Sequence, residues 1–279
     1  MKVTLWGTRG SLASPGSTTV RYGGDTSCVE VRGSSGEILV LDAGTGLRRL
    51  GPSALNAGRI DLLLSHLHMD HIQGLGFFAP LFTPGLEVHI WGPVSTAARL
   101  KERLGRYLSP PLFPVPLRDL PCDLTIHDLL PGEFEIGPFS ITADLVCHPD
   151  FTLGYRIREG DAVMAYLPDH EPELGVRDFP EAARWTSGFD LVAGVDLLIH
   201  DAQYTNEQYA TRVGWGHCTM EHALSLATVA EVGHLVTFHH DPANTDEMLD
   251  EIAASLRAKR HMPFPLTPGT EGAEFVVGR

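Results

Sequence analysis

No stretch of the chain approaches the roughly 20 consecutive apolar residues that a membrane-spanning helix needs, so the sequence predicts no membrane anchor. Its opening, Met1-Lys2-Val3-Thr4-Leu5-Trp6-Gly7, lacks the apolar core and small-residue cleavage site of a secretory signal, which points to the cytoplasm. Cysteine is scarce, with four in 279 residues, at positions 28, 122, 147 and 218. No two have the close spacing of a zinc knuckle or redox pair, so free thiols are expected. Positive charge is in short supply, since 21 basic against 35 acidic residues give a net charge of −14. Proteins that cover long phosphate backbones are ordinarily basic. This balance favours a small substrate over long nucleic acid. Internal repeats, low-complexity tracts and linker-like stretches are absent, and residues 1–279 read as one domain. Apolar residues make up 43% of the chain, enough for a real core, and there are 14 histidines.

Short apolar runs bounded by Gly, Pro, Asp or Ser predict strands at Val3–Trp6, Cys28–Val31, Ile38–Leu41, Ile60–Leu64, Val88–Trp91, Phe139–Ala143, Ala162–Ala165, Leu197–Ile199, Leu235–Phe238 and Glu274–Val277. Helical spacing and capping residues predict helices at Ser95–Leu104, at Thr219–Val232 with Gly233 as its stop, and at Thr245–Arg260. The last would bury Met248, Leu249, Ile252 and Leu256. The proline-rich stretch Leu108–Asp128 reads as a loop near the surface.

The strongest chemical signal is His66-Leu67-His68-Met69-Asp70-His71, which follows the apolar run Asp61-Leu62-Leu63-Leu64-Ser65. A sharp turn after a buried strand can aim several side chains at one point. Three imidazoles and a carboxylate are costly to bury unpaired. A divalent cation removes that cost, because neutral imidazole and carboxylate are ligands that zinc accepts. Six residues cannot wrap one ion completely, so a second ion and ligands from elsewhere are expected.

This HxHxDH motif resembles the hallmark of the metallo-β-lactamase superfamily. The resemblance implies an α/β fold, a four-layer αββα sandwich of two mixed sheets flanked by helices, and two divalent metal ions. Zinc is the first choice, with manganese or iron as alternatives. It also implies that Asp42, in Asp42-Ala43-Gly44-Thr45-Gly46, holds the motif loop. The first metal would take His66, His68 and His148, and the second Asp70, His71 and His239, with Asp169 bridging them. The choice between His239 and His240 rests on strand alternation, which lets only one of the two face the metals; the family's histidine directly follows its apolar strand, which favours His239.

The segments Leu198-Ile199-His200-Asp201-Ala202-Gln203 and Gly214-Trp215-Gly216-His217-Cys218-Thr219 are similar to the phosphodiesterase branch that includes tRNase Z, where His-Glu-Ala-Thr and His-Ser-Thr occupy these places. By that resemblance His217, oriented by Asp201, would donate a proton to the leaving group. Catalytic roles would then fall to Asp70, His217 and Asp201, with water activated between the two metals as nucleophile. Arg9, in Gly7-Thr8-Arg9-Gly10-Ser11, could pair with a phosphate oxygen, and Trp215 could stack on a base. Only 20 residues separate His148 from Asp169, and they read as two strands and a turn, so the tRNA-gripping arm of tRNase Z has no room there. The expected activity is a phosphodiesterase acting on small diesters or cyclic nucleotides. The alternatives are another hydrolase of the fold (lactonase, thioesterase, β-lactamase or RNA nuclease) or a non-catalytic ligand-binding or sensory module. Relatives of this kind suggest a homodimer.

Overall fold

The computed structural model describes residues 1–173, 179, 185–259 and 262–278. Their strands form two sheets. In spatial order the first holds β14 (Glu274–Val276), β1 (Lys2–Gly7), β2 (Cys28–Arg32), β3 (Ile38–Leu41), β4 (Arg59–Leu63), β5 (Glu87–Pro93) and β6 (Asp123–Leu129). The second holds β13 (Leu266–Pro268), β12 (Leu235–Phe238), β11 (Leu197–Asp201), β10 (Ala162–Leu167), β9 (Leu153–Glu159), β8 (Phe139–Leu145) and β7 (Gly132–Ile136). Each sheet repeats one pattern. From β14 to β3 every pairing is antiparallel, and from β3 to β6 every pairing is parallel. Likewise the pairings from β7 to β10 are antiparallel and those from β10 to β13 parallel.

Strand alternation builds the layers. In β3, Leu39 and Leu41 face the second sheet, while Ile38 and Val40 face the helices on the other side. In β10, Met164 and Tyr166 join the core between the sheets, and Val163, Ala165 and Leu167 join the outer one. Such strands are buried on both faces, which is why they read as unbroken apolar runs. Leu47 and Leu50 of α1 (Leu47–Ala54) and Leu104 of α3 (Leu100–Tyr107) cover the first sheet. Leu191 of α4 (Phe189–Val192), Leu224 of α6 (Met220–Val229) and Leu249 of α7 (Asp246–Lys259) cover the second. The result is the four-layer sandwich that the resemblance implies. Among the described residues no helix is long and apolar enough to cross a membrane.

Several local expectations are corrected. The stretch Leu108–Asp128 is not a surface loop: Leu108, Phe113, Leu117, Leu120 and Cys122 are buried in the outer core of the first sheet, and its end forms β6. Its prolines hid a segment that packs through apolar side chains without regular periodicity. Ser95 caps no helix, because α3 begins at Leu100, whose N–H donates to Asp128 Oδ1 at 2.7 Å. The cap comes from a neighbouring strand, which sequence spacing cannot show. Thr219 does cap α6, accepting from the His222 N–H. That helix ends at Val229, and Glu231, at φ 53°, makes the turn expected of Gly233. In α7, Leu249 and Leu256 are buried but Met248 is 39% exposed; Arg260 lies outside the described residues.

Candidate metal centre

The site lies where parallel strands end at their carboxyl termini, the usual place for ligands in open α/β sheets. Asp42 follows β3, the His66–His71 loop follows β4, Asp169 follows β10, Asp201 ends β11 and His239 follows β12. Only His148, after the antiparallel strand β8, departs from this rule.

Asp42 organises the first loop from a fully buried position with φ 58°. Its Oδ1 accepts the Ser65 N–H at 2.7 Å, and its Oδ2 accepts the Ser65 hydroxyl at 2.8 Å and the Tyr166 hydroxyl at 2.9 Å. Asp42 Oδ2 also lies 2.7 Å from His71 Nδ1. A carboxylate can only accept, so His71 carries its proton on Nδ1 and turns Nε2 to the cluster. The Ser65 hydroxyl has already donated to Asp42, so at 3.0 Å it accepts from His66 Nδ1. His66 Nε2 is left buried and without a hydrogen-bond partner.

The second half supplies its donors one at a time, each with its far side anchored. His148 Nδ1 donates to the Gly216 carbonyl at 2.8 Å. His239 Nδ1 lies 3.2 Å from Gln203 Oε1, and the Gln203 amide donates to Ser11 Oγ at 3.1 Å. The His239 backbone leaves β12 at φ 58°, which swings its ring to the cluster. His240 turns the other way and bonds the Gly269 carbonyl at 2.9 Å, so of the two it is His239 whose ring lies in the cluster.

These residues converge. His66, His68, His148 and Asp169 form one group, and Asp70, His71, Asp169 and His239 form another, with the donor atoms of each group within 4.8 Å of one another. Asp169 belongs to both. Its Oδ1 lies 3.0 Å from His71 Nε2 and 3.2 Å from His239 Nε2, but is in line with neither for a hydrogen bond. Its Oδ2 lies 3.6 Å from His66 Nε2 and 3.7 Å from His148 Nε2. Two orphaned buried polar atoms, His66 Nε2 and Asp169 Oδ1, therefore face a knot of imidazole nitrogens and carboxylate oxygens. Such a set is stable when it shares cations. The residues fit a pair of divalent ions, with Asp169 a member of both donor groups.

Burial opposes charge on His66, His68, His71 and His148, and among these only His71 is driven the other way, by the carboxylates of Asp169, Asp70 and Asp42. Burial disfavours charge on His66 and pushes its pKa well down, and burial takes His148 down to about 4. Both are thus neutral, the form that binds metal. Burial opposes ionisation of Asp70 and Asp169. The imidazoles of His71 and His239 outweigh it in both cases and hold the carboxyls below their usual range.

His217 and Asp201 stand beside the second group. His217 Nδ1 lies 2.7 Å from Asp201 Oδ2, and its ring stacks on His239 with centroids 4.9 Å apart. Asp201 Oδ1 accepts the N–H of Gln203 at 3.0 Å and of Cys218 at 3.3 Å. Burial lowers the basicity of His217, but Asp201 and Asp169 overcome this and raise its pKa. The ring lines a cleft of about 500 Å³ that also includes Ser11, Gln203 and Trp215, the last 59% exposed.

Arg9 is the clear correction. It is fully buried, behind the wall of the cleft, where its Nη1 donates to the carbonyl of the cleft-lining Asp241 at 3.3 Å. Its Nε donates to the Gly23 carbonyl at 2.8 Å, its Nη1 donates to the Asn244 carbonyl at 2.7 Å, and Asp246 lies 3.9 Å away. The opening motif supports the site in another manner. The Ser11 N–H donates to Asp70 Oδ2 at 2.7 Å, and a Cβ at Gly10 would lie 2.3 Å from the His239 ring. Only glycine lets that ring sit there.

The sequence reading did not single out Ser65, Tyr166, Gln203 or Glu171. The first two lie in segments whose apolar character dominates. Gln203 stands in the quoted His-Asp-Ala-Gln, where its length was the available signal. Glu171 is buried, and its carboxylate accepts the N–H of Gly214 at 2.9 Å, the N–H of Gly216 at 3.1 Å and the Tyr209 hydroxyl.

The beta-lactamase superfamily domain model matches residues 38–240, which include all seven residues of the two groups. The chain belongs to the metallo-β-lactamase superfamily. It is 24% identical to ribonuclease Z of Thermococcus onnurineus over 286 aligned positions, covering 88% of each chain. Among solved structures, the metallo-β-lactamase fold protein YhfI of Bacillus subtilis superposes with a TM-score of 0.70 at 20% identity over 99% of each chain. A diphosphatase of the PhnP family superposes with a TM-score of 0.69 at 18% identity, covering 99% of this chain and 97% of that one. The protein is a hydrolase of the metallo-β-lactamase fold with a histidine/aspartate cluster able to hold metal.

Proposed function

We propose that this protein is a phosphodiesterase dependent on two divalent metal ions, with zinc as the first choice, acting on small phosphodiesters or cyclic nucleotides. The observation that carries the proposal is the proximity of the His217–Asp201 pair, 2.7 Å apart, to a double donor set that shares Asp169. His66, His68 and His148 would hold one ion, Asp70, His71 and His239 the other, and Asp169 both. A pair of divalent cations there supplies Lewis acidity and lowers the pKa of water from 15.7 toward about 7. The protein's own residues do the rest. Asp201 accepts from His217 Nδ1 and keeps it protonated, so Nε2 faces the cleft as the proton-donating atom for a departing alkoxide. Asp42, Gln203 and the Gly216 carbonyl fix the tautomers of His71, His239 and His148, so that Nε2 of each faces the cluster. Trp215, exposed at the cleft, offers a face for a planar leaving group or base.

Two features favour a small substrate over a precursor tRNA. The segment from His148 to Asp169 is filled by β9, a turn and β10, with no arm, and the net charge is −14. The likeness to ribonuclease Z keeps RNA cleavage as the second reading. Metal analysis of the purified chain, followed by assays on bis-p-nitrophenyl phosphate, a cyclic nucleotide panel, precursor tRNA, a lactone and nitrocefin, tests the assignment. Two bound ions with turnover of the diesters support it. Turnover confined to the lactone, nitrocefin or RNA overturns it.

A further inference from the structure

Among the described residues lining the cleft, Arg212 is the one lysine or arginine. Its Nη1 donates to the Gln208 carbonyl at 2.9 Å, and its guanidinium lies 5.1 Å from the Tyr204 ring centroid and 6.0 Å from that of Trp215. Tyr204 in turn meets His217 edge-on, with centroids 5.9 Å apart. Arg212 therefore stands one aromatic ring out from the proposed proton donor. No described carboxylate lies within 4.0 Å of it. Asp241, on the same wall, turns Oδ1 to the Ala243 N–H at 2.8 Å instead.

The loop that carries Arg212 is fixed before any ligand arrives. The Arg212 N–H donates to the Tyr209 carbonyl at 2.8 Å and the Trp215 N–H to the Arg212 carbonyl at 3.0 Å. Glu171 ties down Gly214, Gly216 and Tyr209 from below. A cation held by rings and one carbonyl keeps a planar fork of N–H groups free for a two-oxygen acceptor. In a chain as acidic as this one, an unpaired guanidinium beside a substrate cleft is a selective element.

We infer that Arg212 is a second anion subsite, and that the substrate class is nucleotide diesters carrying a further phosphate on the same nucleotide. The inference rests on the phosphodiesterase reading above. The spacing of one aromatic ring suits two phosphates on one nucleotide and not two phosphates several nucleotides apart along a strand.

The test uses the full metal-loaded chain, wild type, Arg212→Gln and Arg212→Lys. The substrates are p-nitrophenyl thymidine 5′-phosphate and its 3′-phosphorylated form. Wild type should show a KM about tenfold lower for the 3′-phosphorylated ester, the span of one charge-assisted hydrogen-bond pair. Arg212→Gln should erase that preference, and Arg212→Lys should restore part of it, which a merely structural role would not. No preference in wild type, or a preference kept by Arg212→Gln, overturns the subsite. If wild type cleaves neither ester, the phosphodiesterase reading stands or falls on the diester panel above, and the subsite is decided separately by calorimetry with thymidine 3′,5′-bisphosphate and thymidine 5′-monophosphate. Tighter binding of the bisphosphate that Arg212→Gln abolishes upholds it, and equal affinities overturn it.

Discussion

The two sheets share one strand pattern but furnish the metal centre in opposite styles. The first sheet delivers His66, His68, Asp70 and His71 from a single loop after β4, braced by one carboxylate, Asp42, which contacts Ser65, His71 and Tyr166. The second delivers His148, Asp169, Asp201 and His239 from four separate strand ends: the Gly216 carbonyl braces His148, Gln203 Oε1 braces His239, and the N–H groups of His170, Gln203 and Cys218 brace Asp201. A compact donor loop tolerates little change because two of its donors, His71 directly and His66 through Ser65, share one brace. A dispersed set relies on the sheet itself for alignment, and no single side chain braces more than one of its metal-binding histidines. The contrast implies that damage to the first half spreads through the cluster, whereas damage to the second stays local, except at Asp169, where the halves meet.

The sharpest way to break this contrast is at that meeting point. Asp169→Ala should remove activity below detection and lower bound metal toward zero, measured by elemental analysis and turnover of a phosphodiester. His239→Ala should spare the group around His66 and leave about one ion per chain. If Asp169→Ala keeps one ion and His239→Ala loses both, the sharing of Asp169 is wrong. Next in size is His217→Ala. It should keep both ions but slow turnover by roughly 10²–10⁴-fold, the range for a lost general acid. Its partner, with the first sheet untouched, gives a pH signature. Asp201 raises the pKa of His217, so the acid stays protonated, and active, to higher pH than a free imidazole. Asp201→Asn should move the alkaline limb of the rate profile to lower pH. An unmoved limb removes His217 from the proton-donating role.

The same contrast explains what could be read in the sequence. The first half's donors are neighbours in the chain, so HxHxDH announces itself, and the strand before it is an apolar run bounded by turns. The second half's donors are single residues whose meaning depends on where β8, β10 and β12 end; only the ordered resemblance made His148, Asp169 and His239 legible. Even then the letter at Arg9 misled. An arginine near a phosphate-handling motif and an arginine bonded to Gly23 and Asn244 carbonyls look alike until the burial of the guanidinium is known. Ser65 and Gln203 were illegible because hydrogen-bond direction, not residue type, gives them their work. The segment 108–122 was misread because its apolar residues fill the outer core without any period.

Asp42→Asn against Gln203→Ala sharpens the comparison of braces. An asparagine at 42 can still meet Ser65 but no longer offers two accepting oxygens to Ser65, His71 and Tyr166 together. Metal affinity should fall roughly 10–100-fold, the usual loss when a group orienting a metal-binding histidine is removed. Gln203→Ala removes a neutral contact to His239 at 3.2 Å and the bond to Ser11 Oγ, both on the side of the second group. It should stay at the low end, about tenfold, and act on the second ion only. Competition titration with a chelator measures both. Equal losses at both sites would remove the distinction between a shared brace and a local one.

Arg9 gives the smallest effect on chemistry and a test in a different observable. Its side chain is fully buried behind the cleft wall, so Arg9→Gln should leave the kcat of the folded, metal-loaded protein within about twofold, a change too small for a lost phosphate contact. Stability should move instead. Removing the guanidinium strands buried carbonyls at Gly23, Asp241 and Asn244 and leaves Asp246 with the backbone N–H groups of Arg21 and Tyr22 and the half-exposed Arg21 guanidinium at 3.9 Å. Breaking a buried ionic network of this kind costs about 3 kcal/mol, which for a chain of this size lowers Tm by roughly 6–12 °C. The opening motif joins both sheets, since the Gly10 N–H donates to the His240 carbonyl and the Ser11 N–H to Asp70. The loss should therefore appear as one cooperative shift of the whole transition. A strong fall in kcat with Tm unchanged would return Arg9 to the substrate and undo its reading as the clamp between the halves.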